Sequence, residues 1–168
     1  MAISAAIQSA MTGIGSAISD LTSLGAKHFL VMNLPDLGKT PGISSIGSPA
    51  LDNLASSASH AFNQNLASMH GGISGPDIQL FYVYGALDEV VANPGAYGLT
   101  DVIDSCYTGD VDGSSIAGNP VAACADPSQY AFWDYEHPTA ALRQTLGNLV
   151  YSAIAPAAVP EPSSLALF

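Results

Sequence analysis

A chain of 168 residues, 48% of them apolar, is long enough for one domain with a real core and too apolar for a disordered segment. Fourteen acids against Lys27, Lys39 and Arg143 give a formal net charge of −11. Three basic residues cannot build the patch that a nucleic-acid groove or an anionic membrane surface would require, so no nucleic-acid partner is expected. No run approaches the roughly 18 apolar residues of a stable membrane span, and Met1-Ala2-Ile3-Ser4-Ala5 carries no positive n-region of a secretory signal.

In chain order, Ile3, Ile7, Met11, Ile14, Ile18, Leu21 and Leu24 recur at spacings of three and four. They predict a helix over residues 2–24 in spite of Gly13 and Gly15, each of which costs up to about 1 kcal/mol relative to Ala. Gly25 stops it, and residues 28–33 read as a short apolar strand, a helix-to-strand step that favours a parallel sheet. Residues 36–49, broken by Pro41, Gly42 and Pro49, read as a surface loop. A second helix is expected over residues 50–69, packing through Leu51, Leu54, Ala58, Ala61, Phe62, Asn65, Leu66 and Met69. His60 reads as a solvated or satisfied helical residue and His70 as one lying just past the helix.

Gly71 to Pro76 force a turn. Residues 78–84 are apolar on both faces and predict a strand inside a sheet covered on both sides, followed by a short helix over 86–92 that Asn93-Pro94 ends. From residue 93 to 129 the chain is turns, glycines and acids. Asp110, Asp112, Gly113 and Ser114 imitate part of a calcium loop, but the twelve-position pattern with its closing Glu is missing. Cys106 and Cys124 are the only cysteines. They can form one local disulfide or stand as two reduced buried thiols, and without clustered histidines they make no zinc site.

The chemistry concentrates in Phe132-Trp133-Asp134-Tyr135-Glu136-His137-Pro138-Thr139. An Asp three positions before a His, across a tight turn, can accept one ring N–H and leave the other nitrogen free as a base. Glu136 reads as a solvated acid and Trp133 as packing beneath the turn. Pro138 biases His137 away from the α region. Thr139 is an N-cap candidate for a last helix over 140–154, with Leu142, Leu146, Leu149, Val150 and Ile154 inward. The stretch contains an acid and a base but no nucleophile.

This stretch resembles the last block of the GDSL-type, or SGNH, esterases and lipases. Gly25 to Gly38, with the run His28-Phe29-Leu30-Val31-Met32-Asn33-Leu34-Pro35-Asp36, is similar to a strand and turn of that family. Asn93 to Val102, followed by Cys106 and Cys124, is similar to the segment ahead of its Asp-His block. The matches run from about residue 20 to residue 152 in the family's order. The resemblance implies an α/β fold in which residues 1–155 are the C-terminal part of a three-layer, flavodoxin-like parallel sheet with flanking helices. It also implies a serine-type hydrolase of carboxylic esters with an ester or lipid substrate and no metal or organic cofactor. His137 would take the serine proton and later give it to the leaving alcohol, with Asp134 orienting the imidazole.

The family's Gly-Asp-Ser-Leu block, and the Gly and Asn blocks that donate to the oxyanion, are not among these 168 residues. The expectation is therefore the C-terminal part of an enzyme, inactive by itself and exposing sheet edges. The alternative is a non-catalytic, exported surface or binding module that retains part of the fold. Residues 156–168 read as a Pro-rich linker. Its Val159-Pro160-Glu161-Pro162, followed by Ser163-Ser164-Leu165-Ala166-Leu167, resembles the start of a PEP-CTERM sorting signal. That resemblance implies export to the surface or envelope of a Gram-negative bacterium and recognition by exosortase-type machinery.

Overall fold

The computed structural model describes residues 2–109 and 121–154. The first apolar run forms helix α1 (Ala2–Ser23), which packs along the long helix α3 (Pro49–Gly72). Ile7 and Met11 of α1 meet Leu66 of α3, with Val31 and Leu80 closing the cluster from the sheet side. Ile3, Leu21 and Leu24 stay exposed, so the apolar stripe of α1 is longer than its contact.

Strand β1 (His28–Met32) pairs in parallel with β2 (Asp77–Phe81), Phe29 opposite Ile78 and Val31 opposite Leu80. One face is packed and the other is open: Leu30 and Met32 are 38% and 49% exposed. The strand expected over 78–84, covered on both sides, is thus shorter and covered on one. It stops at Phe81 because the Tyr84 N–H turns to the side-chain oxygen of Asn33, at 3.1 Å. Helix α4 (Val83–Ala92) then starts three residues earlier than the sequence suggested.

The supposed loop 36–49 is largely ordered into a 3₁₀ turn (Leu37–Lys39) and a short helix, α2 (Pro41–Ser44). Gly38 lies so close to α3 that a Cβ there would overlap the Asp52 carbonyl and the Ser56 hydroxyl. His70 lies inside α3 rather than after it, and its Nε2 meets the Ile78 carbonyl at 3.0 Å.

A second parallel pair, β3 (Asp101–Ser105) with β4 (Tyr130–Phe132), carries the other core. Leu87 and Val90 of α4, Leu99, Val102, Ala131, Phe132 and Leu142 are buried together there. β3 falls where only turns were expected. Its register with β4 is irregular between Asp101 and Ser105, and the cause is local: the Asp101 carboxylate accepts the N–H groups of Ile103 and Asp104 at 3.0 and 2.9 Å. Among the described residues the strands form two two-stranded parallel sheets flanked by helices, an α/β arrangement like that of SGNH hydrolases but without one continuous sheet.

Cys106 and Cys124 are bonded to each other. The Cys124 N–H also donates to the Cys106 carbonyl at 2.6 Å, so the two chain segments are joined twice. With a sequence separation of 18, reduction is expected to cost about 3 kcal/mol of stability, read as a lower urea midpoint in the presence of a reductant. Val159 to Pro162, expected to begin a sorting signal, and the acids Asp110 and Asp112 lie outside the described residues. Among the described residues, no helix is long and apolar enough to cross a membrane, and no group of three or more His, Cys, Asp and Glu is placed to hold a metal ion.

Candidate active site

β4 delivers a turn whose base is closed on both sides. The Trp133 N–H donates to the His137 carbonyl at 2.8 Å, Thr139 N–H to the Ala131 carbonyl at 2.9 Å, and Tyr107 N–H to the Trp133 carbonyl at 2.6 Å. Beyond it runs α5 (Ala140–Ile154). Thr139 is 3% exposed; its hydroxyl donates to the Tyr130 carbonyl at 2.7 Å and accepts the Leu142 N–H at 3.2 Å. Thr139 therefore caps the helix and ties it to β4. Thr139→Ala should lose about 1–2 kcal/mol, seen as an earlier thermal transition, whereas Thr139→Ser should lose much less.

Inside the turn, three donors converge on Asp134. Its Oδ1 accepts the N–H of Glu136 at 2.9 Å and of His137 at 2.6 Å, and the His137 ring Nδ1 lies 2.9 Å from Oδ2 and 3.0 Å from Oδ1. Burial pushes the Asp134 carboxyl up, but the hydrogen bonds from His137 and Glu136 together outweigh it and hold the group below its ordinary value of 3.8. A carboxylate so depressed stabilises the fold above the ordinary Asp range, and the contribution disappears as pH falls through the folded-state value. The stability gap between wild type and Asp134→Asn should be flat near neutrality and narrow once pH drops below 3.8, measured by urea unfolding across an acid series.

The Asp134 side chain is 14% exposed and that of His137 is 64%. A carboxylate against Nδ1 fixes the proton there, so Nε2 is left as an acceptor facing outward. Such an arrangement can take a proton from a hydroxyl and return it to a leaving group. Among the described residues, no hydroxyl or thiol is hydrogen-bonded to Nε2. Ser16 sits exposed on α1, without a strand-to-helix elbow.

The other sequence candidates fall elsewhere. Trp133 does not lie beneath the turn: it is 38% exposed and stacks on Tyr107 with ring centroids 5.4 Å apart and planes 4° from parallel. Two aromatic faces satisfy one another there better than the small turn could. Glu136 is exposed and contributes only its backbone. His60 packs its ring on Tyr84 at 4.5 Å. His28 and Asp77 form a second Asp-His contact at 3.1 Å, but both side chains are more than 70% exposed, at 81% and 75%. They stand at the first residues of β1 and β2, the opposite edge from the carboxyl ends of the strands where α/β sites gather.

One feature of the site escaped the sequence. Asp36, just past β1, is 4% exposed and accepts the Gly38 N–H at 3.0 Å, the Ser56 hydroxyl at 2.6 Å and the Tyr84 hydroxyl at 3.0 Å. Burial, then the hydrogen bond to Asp36, push Tyr84 up to about 12. The segment that Asp36 organises reaches the Asp134–His137 turn, where Gly42 N–H donates to the Tyr135 carbonyl at 2.8 Å. Its only signal was Asp36-Leu37-Gly38, an Asp followed two residues later by a Gly, which suits a local side-chain-to-backbone turn.

No family model matches the chain. It is 30% identical over 149 residues to a GDSL esterase/lipase of Arabidopsis thaliana, an alignment covering 83% of this chain and 41% of the relative. A second GDSL esterase/lipase of the same plant is 27% identical over 77% of this chain and 39% of its own length. An uncharacterized protein in the trpE-trpG intergenic region of Pseudomonas putida is 35% identical over 77% of this chain and 22% of its own. The chain is thus homologous, over most of its length, to GDSL-type esterases and lipases, and it spans about two fifths of the plant relatives. Its parallel strands, flanking helices and Asp134–His137 pair are consistent with that hydrolase superfamily.

Proposed function

We propose that this chain contributes the Asp-His half of a GDSL-type carboxylic ester hydrolase. In that reading His137 is the general base and acid, and Asp134 orients it and stabilises the imidazolium. The nucleophilic serine and the oxyanion donors come from sequence that these 168 residues do not contain. The observation that carries the reading is the Asp134–His137 geometry: one half-buried carboxylate, held by two backbone N–H groups, aimed at Nδ1 of an exposed imidazole. An exposed ion pair assembled by chance, like His28–Asp77, lacks the backbone donors. Homology to esterases and lipases over most of the chain supports an ester or lipid substrate, and the chemistry proceeds through an acyl-serine without any cofactor.

In this reading residues 1–155 form the C-terminal part of the hydrolase domain, and the two small sheets are pieces of one flavodoxin-like sheet. Residues 156–168 are a linker and the start of a PEP-CTERM signal that directs export and exosortase-type recognition. That part stands on Val159-Pro160-Glu161-Pro162, and retention of a reporter at the envelope of a Gram-negative exosortase host, lost on scrambling those four residues, tests it.

Hydrolysis of a short-chain p-nitrophenyl ester tests the chemistry. The 168-residue chain and its His137→Ala form should both run at background. The same chain joined to a part bearing Gly-Asp-Ser-Leu should be active and should lose activity with H137A. A clear rate from the isolated chain that H137A abolishes would sink the reading, because a serine within these residues would then be the nucleophile.

A further inference from the structure

The residues that hold the Asp134–His137 turn divide into two sets. Trp133, Tyr107 and Thr139 N–H groups fasten the base of the turn, where the chain enters and leaves. The tip is different. Among the described residues, the Gly42 N–H is the only group outside residues 133–137 that is hydrogen-bonded to residues 134–137, and it reaches the Tyr135 carbonyl.

That carbonyl belongs to the same peptide unit whose N–H, on Glu136, donates to Asp134 Oδ1. A peptide is planar, with its C=O and N–H pointing in opposite directions, so it turns as a rigid body. A donor that fixes the oxygen also fixes the direction of the N–H. It polarises that N–H as well, because hydrogen bonds in a chain strengthen one another. The series runs from Gly42 N–H through the Tyr135–Glu136 peptide to the Asp134 carboxylate and on to His137 Nδ1.

We propose that the Gly42 amide is a positioning group for the Asp134–His137 pair, acting through the Tyr135–Glu136 peptide, and that Asp36 is the positioning residue that holds Gly42 in place. The proposal rests on the functional reading above only in taking the Asp134–His137 pair as catalytic; the positioning itself is a property of the turn. Asp36 gathers donors from three elements: Gly38 of the 3₁₀ turn, Ser56 of α3 and Tyr84 of α4. Thr40 and Ser44 then continue the anchorage, their hydroxyls donating to the Leu37 and Thr40 carbonyls at 2.8 and 3.0 Å. Position 42 must also be small. A Cβ there would stand 3.0 Å from the Tyr135 oxygen and 3.4 Å from its Cβ, so Ala at 42 requires the turn to move by a few tenths of an ångström. That displacement is small enough to leave the fold and large enough to misalign a hydrogen bond.

The test is made on the 168-residue chain, with amide exchange at Glu136 and the ring 15N shifts of His137 as readouts. In the wild type the ring should show one dominant tautomer, with the proton on Nδ1. Gly42→Ala should speed Glu136 exchange about 5-fold, the effect of weakening one hydrogen bond, and move the ring shifts toward a mixture of tautomers. Tyr84→Phe, which takes one donor from Asp36 without touching the turn, should do the same to a smaller degree and decides the matter if G42A does not fold. Gly147→Ala, on α5 with open space around it, should change neither readout. Unchanged exchange and ring shifts in folded G42A, or in Y84F if only that variant folds, would overturn the proposal, as would equal changes in G147A. Neither readout involves ester hydrolysis, so an inactive joined protein with these responses intact would refute the functional reading and leave the positioning standing.

Discussion

His137→Ala, in a protein that joins this chain to its serine-bearing part, is expected to lower kcat by on the order of 10⁴-fold or more, with KM changed far less. On the proposed mechanism, removing the imidazole removes both the acceptor of the serine proton and the donor to the leaving alcohol. Asp134→Asn is expected to come within about an order of magnitude of that loss, for a different reason. An Asn oxygen still accepts the N–H groups of Glu136 and His137, so the turn survives. Its amide NH₂ then faces the ring nitrogen that Asp134 Oδ2 now meets at 2.9 Å. Two donors cannot share one hydrogen bond, so Nδ1 becomes the acceptor and the proton moves to Nε2, where the base is needed. Steady-state rates with a p-nitrophenyl ester check both. A D134N enzyme within a few-fold of wild type would show that orientation of the ring by the carboxylate is unimportant.

Asp36→Ala is expected to be the most damaging stability change outside the two cores, costing about 3 kcal/mol. It strands the Gly38 N–H and the hydroxyls of Ser56 and Tyr84 around a site where the carboxylate is 4% exposed. It also frees the segment carrying Gly42. Gly38→Ala should approach the same loss, about 2 kcal/mol, through overpacking against Asp52 and Ser56. Urea midpoints of the two variants beside wild type measure both. Asp36→Asn, which keeps an acceptor of the same shape, should recover much of the stability.

The parts of this protein that were legible in advance share a physical trait: they are local. The 3.6-residue period of α1 and α3 spans many turns, so a few exposed positions such as Leu54 and Leu21 do not hide it. The acid, the base and the cap of α5 lie within six residues, Asp134 to Thr139, and their bonds close inside one turn. β3 was illegible because it is five residues long and begins with an Asp whose carboxylate takes two of its own backbone donors. The end of β2 was illegible because Tyr82 and Tyr84 look like strand residues until Asn33, 51 positions before Tyr84, takes the Tyr84 N–H.

By itself, the sequence determined the long helices, the Asp134–His137 pair and the helix that anchors it, since spacing along one chain sets periodicity, turn chemistry and capping. Tertiary structure alone decided that the strands pair as two separate parallel sheets, that Trp133 stacks on Tyr107, and that Asp36 and Gly42 reach the turn. Each of these depends on contacts between segments distant in sequence. Gly42 and Tyr135 are far apart along the chain, and no local pattern records that the amide of one is the support for the carbonyl of the other.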